Sequence, residues 1–178
     1  MRIKNHFSLV FLFSTFLLLG FGLPNKLEKK VQKVVEKTFG VNDFSMAAVA
    51  VSPELNTQLP AKITKDNFYK LLHGTTLMGY AFIDRAPSKT AQFDYLVLFD
   101  TELKVVRTNV LIYREEYGGE IGSTRWLKQF TGKTGKDRVS IESNIDAISG
   151  ATISVRSMTR SMDNLLQTIG ILQENKVL

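Results

Sequence analysis

Two consecutive hairpin-shaped units restrict the possible folds more than any other feature of this chain. NFYKLLHG and TLMGYAFIDRA flank a turn at Gly74-Thr75-Thr76, and FDYLVLF and LKVVRTNVLIY flank a second turn near Asp100 and Thr101. β-Branched and aromatic runs broken by short polar turns favour antiparallel strands. RAPSKTAQ, between the two units, reads as a loop. NKLEKKVQKVVEKTFG puts Leu27, Val31, Val34, Val35 and Phe39 on one stripe and ends at Gly40, which predicts an amphipathic helix. Its lysines suit a solvated face or an anionic lipid surface. FSMAAVAV is a continuous apolar run suited to a buried strand or helix. STRWLKQF sets Trp126, Leu127 and Phe130 at helical spacing after a cap-capable Ser123 or Thr124, and Gly132 and Gly135 end it. KDRVSIESNI then reads as extended. From about Ala151 to Leu172, Val155, Met158, Met162, Leu165, Leu166 and Ile169 share one face of a long helix. The order predicts an α+β domain: an antiparallel sheet built from hairpins, with flanking helices and a long C-terminal helix.

Residues 1–24 stand apart. Arg2 and Lys4 precede an almost unbroken apolar stretch from Phe7 to Leu23, without a single acid. This predicts a signal peptide or a membrane anchor, with the positive end in the cytoplasm and residues 25–178 exported as one domain. No A-x-A site precedes Pro24, and a chain without cysteine cannot take a lipoprotein anchor. The lack of cysteine also excludes disulfides, thiolate metal sites and a cysteine nucleophile.

Charge excludes little by itself, but it argues against nucleic acid as a partner. The net charge of +6 includes Arg2 and Lys4; removing them leaves 21 basic residues against 17 acidic, with no dense block outside KLEKKVQK. Familiar catalytic sets are missing. His6 lies in the first segment and His73 at a turn, so neither a multi-histidine metal site nor a Ser-His-Asp set stands out. No phosphate-loop or dinucleotide fingerprint occurs. Glu115 and Glu116 are a pair of loop acids that specify little. The expectation is therefore no catalytic and no metal residues.

The junction before the long helix is the exception. DAISGATIS, residues 146–154, crowds Ser149, Thr152 and Ser154 around Gly150 and Ala151, with Asp146 upstream. A helix start needs only one hydroxyl cap. A hydroxyl there also sits among unpaired N–H groups at the positive end of the helix dipole, which favour a phosphate. Gly150 permits a sharp turn and Ala151 an uncrowded approach. A plain cap and a phosphate site are both open on these residues alone.

DAISGATIS resembles the attachment pattern of the FMN-binding domain family, Asp-x-x-Ser/Thr-Gly-Ala-Thr-x-Ser/Thr, at every defined position. That family includes the flavin-carrying subunits of ion-pumping redox complexes and exported single-domain relatives. The resemblance implies FMN linked covalently to Thr152 through a phosphoester, attached outside the cytoplasm by a flavin transferase with FAD as donor. It implies recognition of Asp146 and Ser149 by that transferase, and places Gly150, Ala151 and Ser154 at the cofactor. Arg156, four residues after Thr152, faces either the phosphate or solvent.

YREEYGGEIGSTRWLKQFTGK, residues 113–133, is similar to the family's flavin-facing loop and short helix. Gly118, Gly119 and Glu120 would approach the ring. Better-known members have a Glu-Thr-Pro-Gly run where this chain has Glu116-Tyr117-Gly118-Gly119. Tyr117 and Trp126 are either flavin contacts or packing aromatics. LMGYAFIDRA resembles the family's Gly-Tyr strand through Gly79 and Tyr80. The likeness spans about residues 70–170. It implies an exported electron-transfer flavoprotein on the periplasmic side of the cytoplasmic membrane, anchored or secreted, passing electrons between membrane redox partners. Such a chain is more a carrier or complex subunit than an independent enzyme. The alternative is an exported binding or assembly module of a membrane complex without redox turnover.

Overall fold

β4 (Gln92–Phe99) is buried at every position after Gln92, so both of its faces must be covered. The computed structural model, which describes residues 25–178, shows how. The signal or anchor segment expected over 1–24 lies outside the described residues. Around β4 the chain runs α1 (Asn25–Phe39), β1 (Ser45–Ala48), α2 (Pro53–Gln58), β2 (Phe68–His73), β3 (Thr76–Pro87), β4, β5 (Val105–Ile112), α3 (Thr124–Leu127) and α4 (Thr152–Glu174). Single 3-10 turns, Gly119–Gly122 and Lys128–Phe130, flank α3.

The five strands form one antiparallel meander in chain order. Alternation along each strand sends successive side chains to opposite faces. On one face Leu96 and Leu98 of β4 join Ala81 and Ile83 of β3 and Leu111 of β5 under Leu27, Val31 and Val35 of α1. On the other, Phe93, Tyr95, Val97 and Phe99 join Tyr80 and Phe82 under the apolar stripe of α4. All six residues assigned to that stripe from sequence are buried, and Leu172 extends it. At about 25 cal/mol per Å² of apolar surface buried, these two layers dominate the stability of the domain. The result is a three-layer α+β fold, as the pattern predicts.

Four local expectations need correction. RAPSKTAQ is not a loop throughout: β3 runs to Pro87 and β4 starts at Gln92, so only residues 88–91 turn. The FSMAAVAV run is neither a buried strand nor a helix: its strand part, β1, is an edge strand paired only with β2 and mostly exposed. Its alanines offer too little apolar surface to require cover. KDRVSIESNI (136–145), open to strand or loop by its sequence, is a loop with turns at 141–144, because its backbone is held by side chains. Asn144 Oδ1 accepts from Ser140 N at 2.9 Å, and its Nδ2 donates to Arg138 O at 2.9 Å. Finally, the helix expected across STRWLKQF is four residues of α-helix tightening into a 3-10 turn.

Candidate functional site

α4 opens at the end of the sheet where β3 and β5 finish and β4 begins. Ser157 donates to the carbonyl of Pro87, the last residue of β3, which fixes the second turn of α4 against that edge. Just upstream, Gly150 adopts φ +81°, a left-handed turn a side chain would resist. Ala151 follows, buried, as the N-cap, and no side chain caps the helix. Thr152 is therefore exposed at the first helical position, with a hydroxyl that is not spent on capping. The first amides of a 23-residue helix point past it without a side-chain acceptor. Asp146 and Ser149 are also exposed.

The two sequence stretches singled out for the site meet in space. Gly118 takes φ +80°, and a Cβ there would lie 2.9 Å from Tyr113 Oη and 3.3 Å from Ala151 Cβ. Only glycine lets the 113–122 loop seat on the turn before α4. Tyr113 ties the contact together. Its hydroxyl donates to Tyr117 O at 3.1 Å and lies 3.0 Å from Ser154 Oγ, which can donate in return. Ser154 is buried, so its hydroxyl holds the loop to α4 from behind the surface. Gly119 and Glu120 are exposed on the outer side of the loop. Open space surrounds Gly119, so crowding at this turn belongs to Gly118.

The base of the loop is anchored twice. Arg114 donates to Gln92 O at 2.7 Å and pairs with Asp94, which is buried and also bound by Arg85 at 2.9 Å. Glu115 accepts from Ser88 Oγ at 2.6 Å, from Thr90 N and Oγ1 at 2.7 and 2.8 Å, and from Ala91 N at 3.1 Å. These donors, the Ser88 hydroxyl foremost, pull its carboxyl down to about 2. A loop acid that specified little in the sequence thus clamps the β3–β4 turn.

On the other side Trp126 Nε1 donates to Asp146 O at 2.7 Å, and Asp146 N donates to Gln129 Oε1 at 2.8 Å. Trp126 is buried edge-on to Phe130, so of its two readings packing holds. Tyr117 is the opposite case. At 82% exposure, with Ile153 at 50%, it is one of the two large hydrophobic side chains exposed among the described residues. Both sit at the site: Tyr117 precedes the glycine that touches Ala151, and Ile153 follows Thr152. The sequence pointed to neither Tyr113 nor Ile153, because a tyrosine–serine bond across 41 residues leaves no local signature.

This arrangement fits a phosphate-bearing aromatic cofactor. It offers an uncapped hydroxyl at a helix N-terminus and, beside it, an exposed tyrosine ring and isoleucine. Among the described residues no cluster of metal-ligating side chains occurs.

Residues 90–167, which contain Glu115, the 113–122 loop and the turn at Thr152, match the model of a family described as FMN-binding domain. Comparison with curated proteins returned no match. Among solved structures the chain is similar to NqrC of Shewanella oneidensis, with a TM-score of 0.58 over 87% of this chain and 99% of that one. The two are 16% identical, so the likeness is one of fold.

Proposed function

We propose that this chain, whose residues 90–167 match the FMN-binding domain model, is an exported electron-transfer flavoprotein carrying FMN on Thr152 through a phosphoester. The observation that carries the reading is Thr152 itself: exposed, uncommitted, at the start of α4, inside a complete attachment pattern. Bound FMN would supply one- and two-electron redox chemistry. The chain's own residues do the holding. The first amides of α4 face the phosphate, and the helix dipole favours its charge. Tyr117 and Ile153 offer apolar surface to a flavin ring, while Gly118, Gly119 and Glu120 line its approach. Ser154, through Tyr113, keeps that loop against Ala151.

Asp146 and Ser149 are exposed on the near side of Thr152, where a flavin transferase with FAD as donor would read them. Trp126 and Gln129 fix only the backbone of Asp146 and leave its carboxylate to the transferase. Covalent attachment suits an exported carrier, since a dissociating cofactor would be lost. Export follows from the charged and apolar start of the chain, and the domain would work on the periplasmic side of the cytoplasmic membrane, between membrane redox partners. Among the described residues no helix is long and apolar enough to cross a membrane.

The test is Thr152→Ala in cells that also express the transferase. The variant should lose all flavin fluorescence on a denaturing gel while its thermal midpoint stays within about 2 °C, because Thr152 caps nothing. Flavin retained through denaturation would overturn the assignment.

A further inference from the structure

One and two turns beyond Thr152, α4 carries two arginines without an ion pair or hydrogen bond among the described residues, Arg156 and Arg160. Both are exposed, and both line a cleft of about 360 Å³ between α4 and residues 138–142. Thr152, Arg156 and Arg160 follow one another at four-residue spacing, so they share a helix face. Both side chains line the cleft, as long side chains leaning along a helix toward its N-terminus can.

The acids nearby do not neutralise them. Asp163 is bound by Arg138 through two hydrogen bonds of 2.8 and 2.6 Å and also accepts from Val139 N at 3.0 Å. Arg138 holds its carboxyl below the usual range. Glu142, the other acid lining the cleft, accepts from Ser140 Oγ at 2.6 Å. A second observation points inward. Thr159 lines the same cleft at 4% exposure, and its buried hydroxyl has no hydrogen-bond partner. Buried hydroxyls are seldom left unpaired, and a group entering from the cleft would pair this one. Two unpaired guanidinium groups and a hydroxyl donor suit a phosphate oxygen cluster better than any neutral ligand.

We propose that the cleft between α4 and residues 138–142 is a phosphate-binding site formed by Arg156, Arg160 and Thr159. The site stands whether or not Thr152 carries flavin. Its ligand is a free phosphate compound, since Thr152 does not line the cleft and Thr159 lies about 10 Å further along α4.

Titration of the full-length, unflavinylated chain with inorganic phosphate, against chloride at matched ionic strength, tests this. Saturable binding is expected. Arg156→Gln with Arg160→Gln should weaken it at least tenfold, and Thr159→Val several-fold without lowering the thermal midpoint. No binding beyond the chloride control, or undiminished binding by either variant, overturns the site. Repeating the titration on chain verified by mass to carry flavin should leave binding unchanged, and lost binding would overturn a site separate from Thr152.

Discussion

Gly118 and Gly119 are neighbours with opposite demands. Gly118→Val meets Tyr113 Oη at 2.9 Å and a positive φ, whereas Gly119→Val meets nothing within 4 Å. The first change should cost about 1–3 kcal/mol in thermal or chemical unfolding and reduce flavin attachment; the second should leave unfolding unchanged. Equal effects of the two would mean that the loop does not seat on Ala151. Glu120 tests the loop's relation to the ring. A carboxylate beside a cofactor that gains electrons disfavours reduction, so Glu120→Gln in the flavin-loaded protein should raise the midpoint potential. Because Glu120 is exposed, screening limits the rise to about 10–30 mV. Redox titration reads it, and an unmoved midpoint would put the ring elsewhere. Thr152 shows the limit of reading single residues. Its hydroxyl looks equally like a helix cap in sequence, and only the fold reveals that Ala151 occupies the cap position and leaves the hydroxyl free.

The elements were legible where burial is periodic. Both hairpins, α1 and the full apolar face of α4 follow from spacing, because two-residue and 3.6-residue repeats encode which side faces a layer. Elements held by single polar contacts were not. α2 (Pro53–Gln58) has no buried residue, and its cap, Ser52 Oγ accepting from Leu55 N at 3.2 Å, is one bond in a polar run. The loop at 136–145 depends on Asn144 and Asp163, the latter 25 residues away from Arg138. The Glu115 clamp is of the same kind, and it makes a pH prediction. Its carboxyl is depressed to about 2, so its contribution is fully present above the unfolded value near 4.5 and is lost as pH falls through about 2. The thermal midpoint of wild type should exceed that of Glu115→Gln at pH 7, and the gap should narrow from pH 4.5 downward. A gap of constant size across that range would show that the four donors do not depend on the charge.

At the scale of the whole molecule, the three layers divide labour. α1 and the sheet face beneath it serve stability, while the sheet end that receives α4 gathers the 113–122 loop, the turn at Gly150 and Thr152 on one surface. The sequence pattern named both halves of that surface, but not their contact, which rests on Gly118 against Ala151 and Tyr113 between Tyr117 and Ser154. The phosphate cleft continues the same helix face, so the chemistry of the domain lies along one side of α4. The proposed flavin attachment is a covalent bond at one atom, and intact mass reads it directly. Chain recovered from the exported fraction of cells that make the flavin transferase should be heavier by one FMN less one water, with the added mass confined to the peptide that contains Thr152. An unmodified mass, or flavin mapped to any other residue, would contradict it.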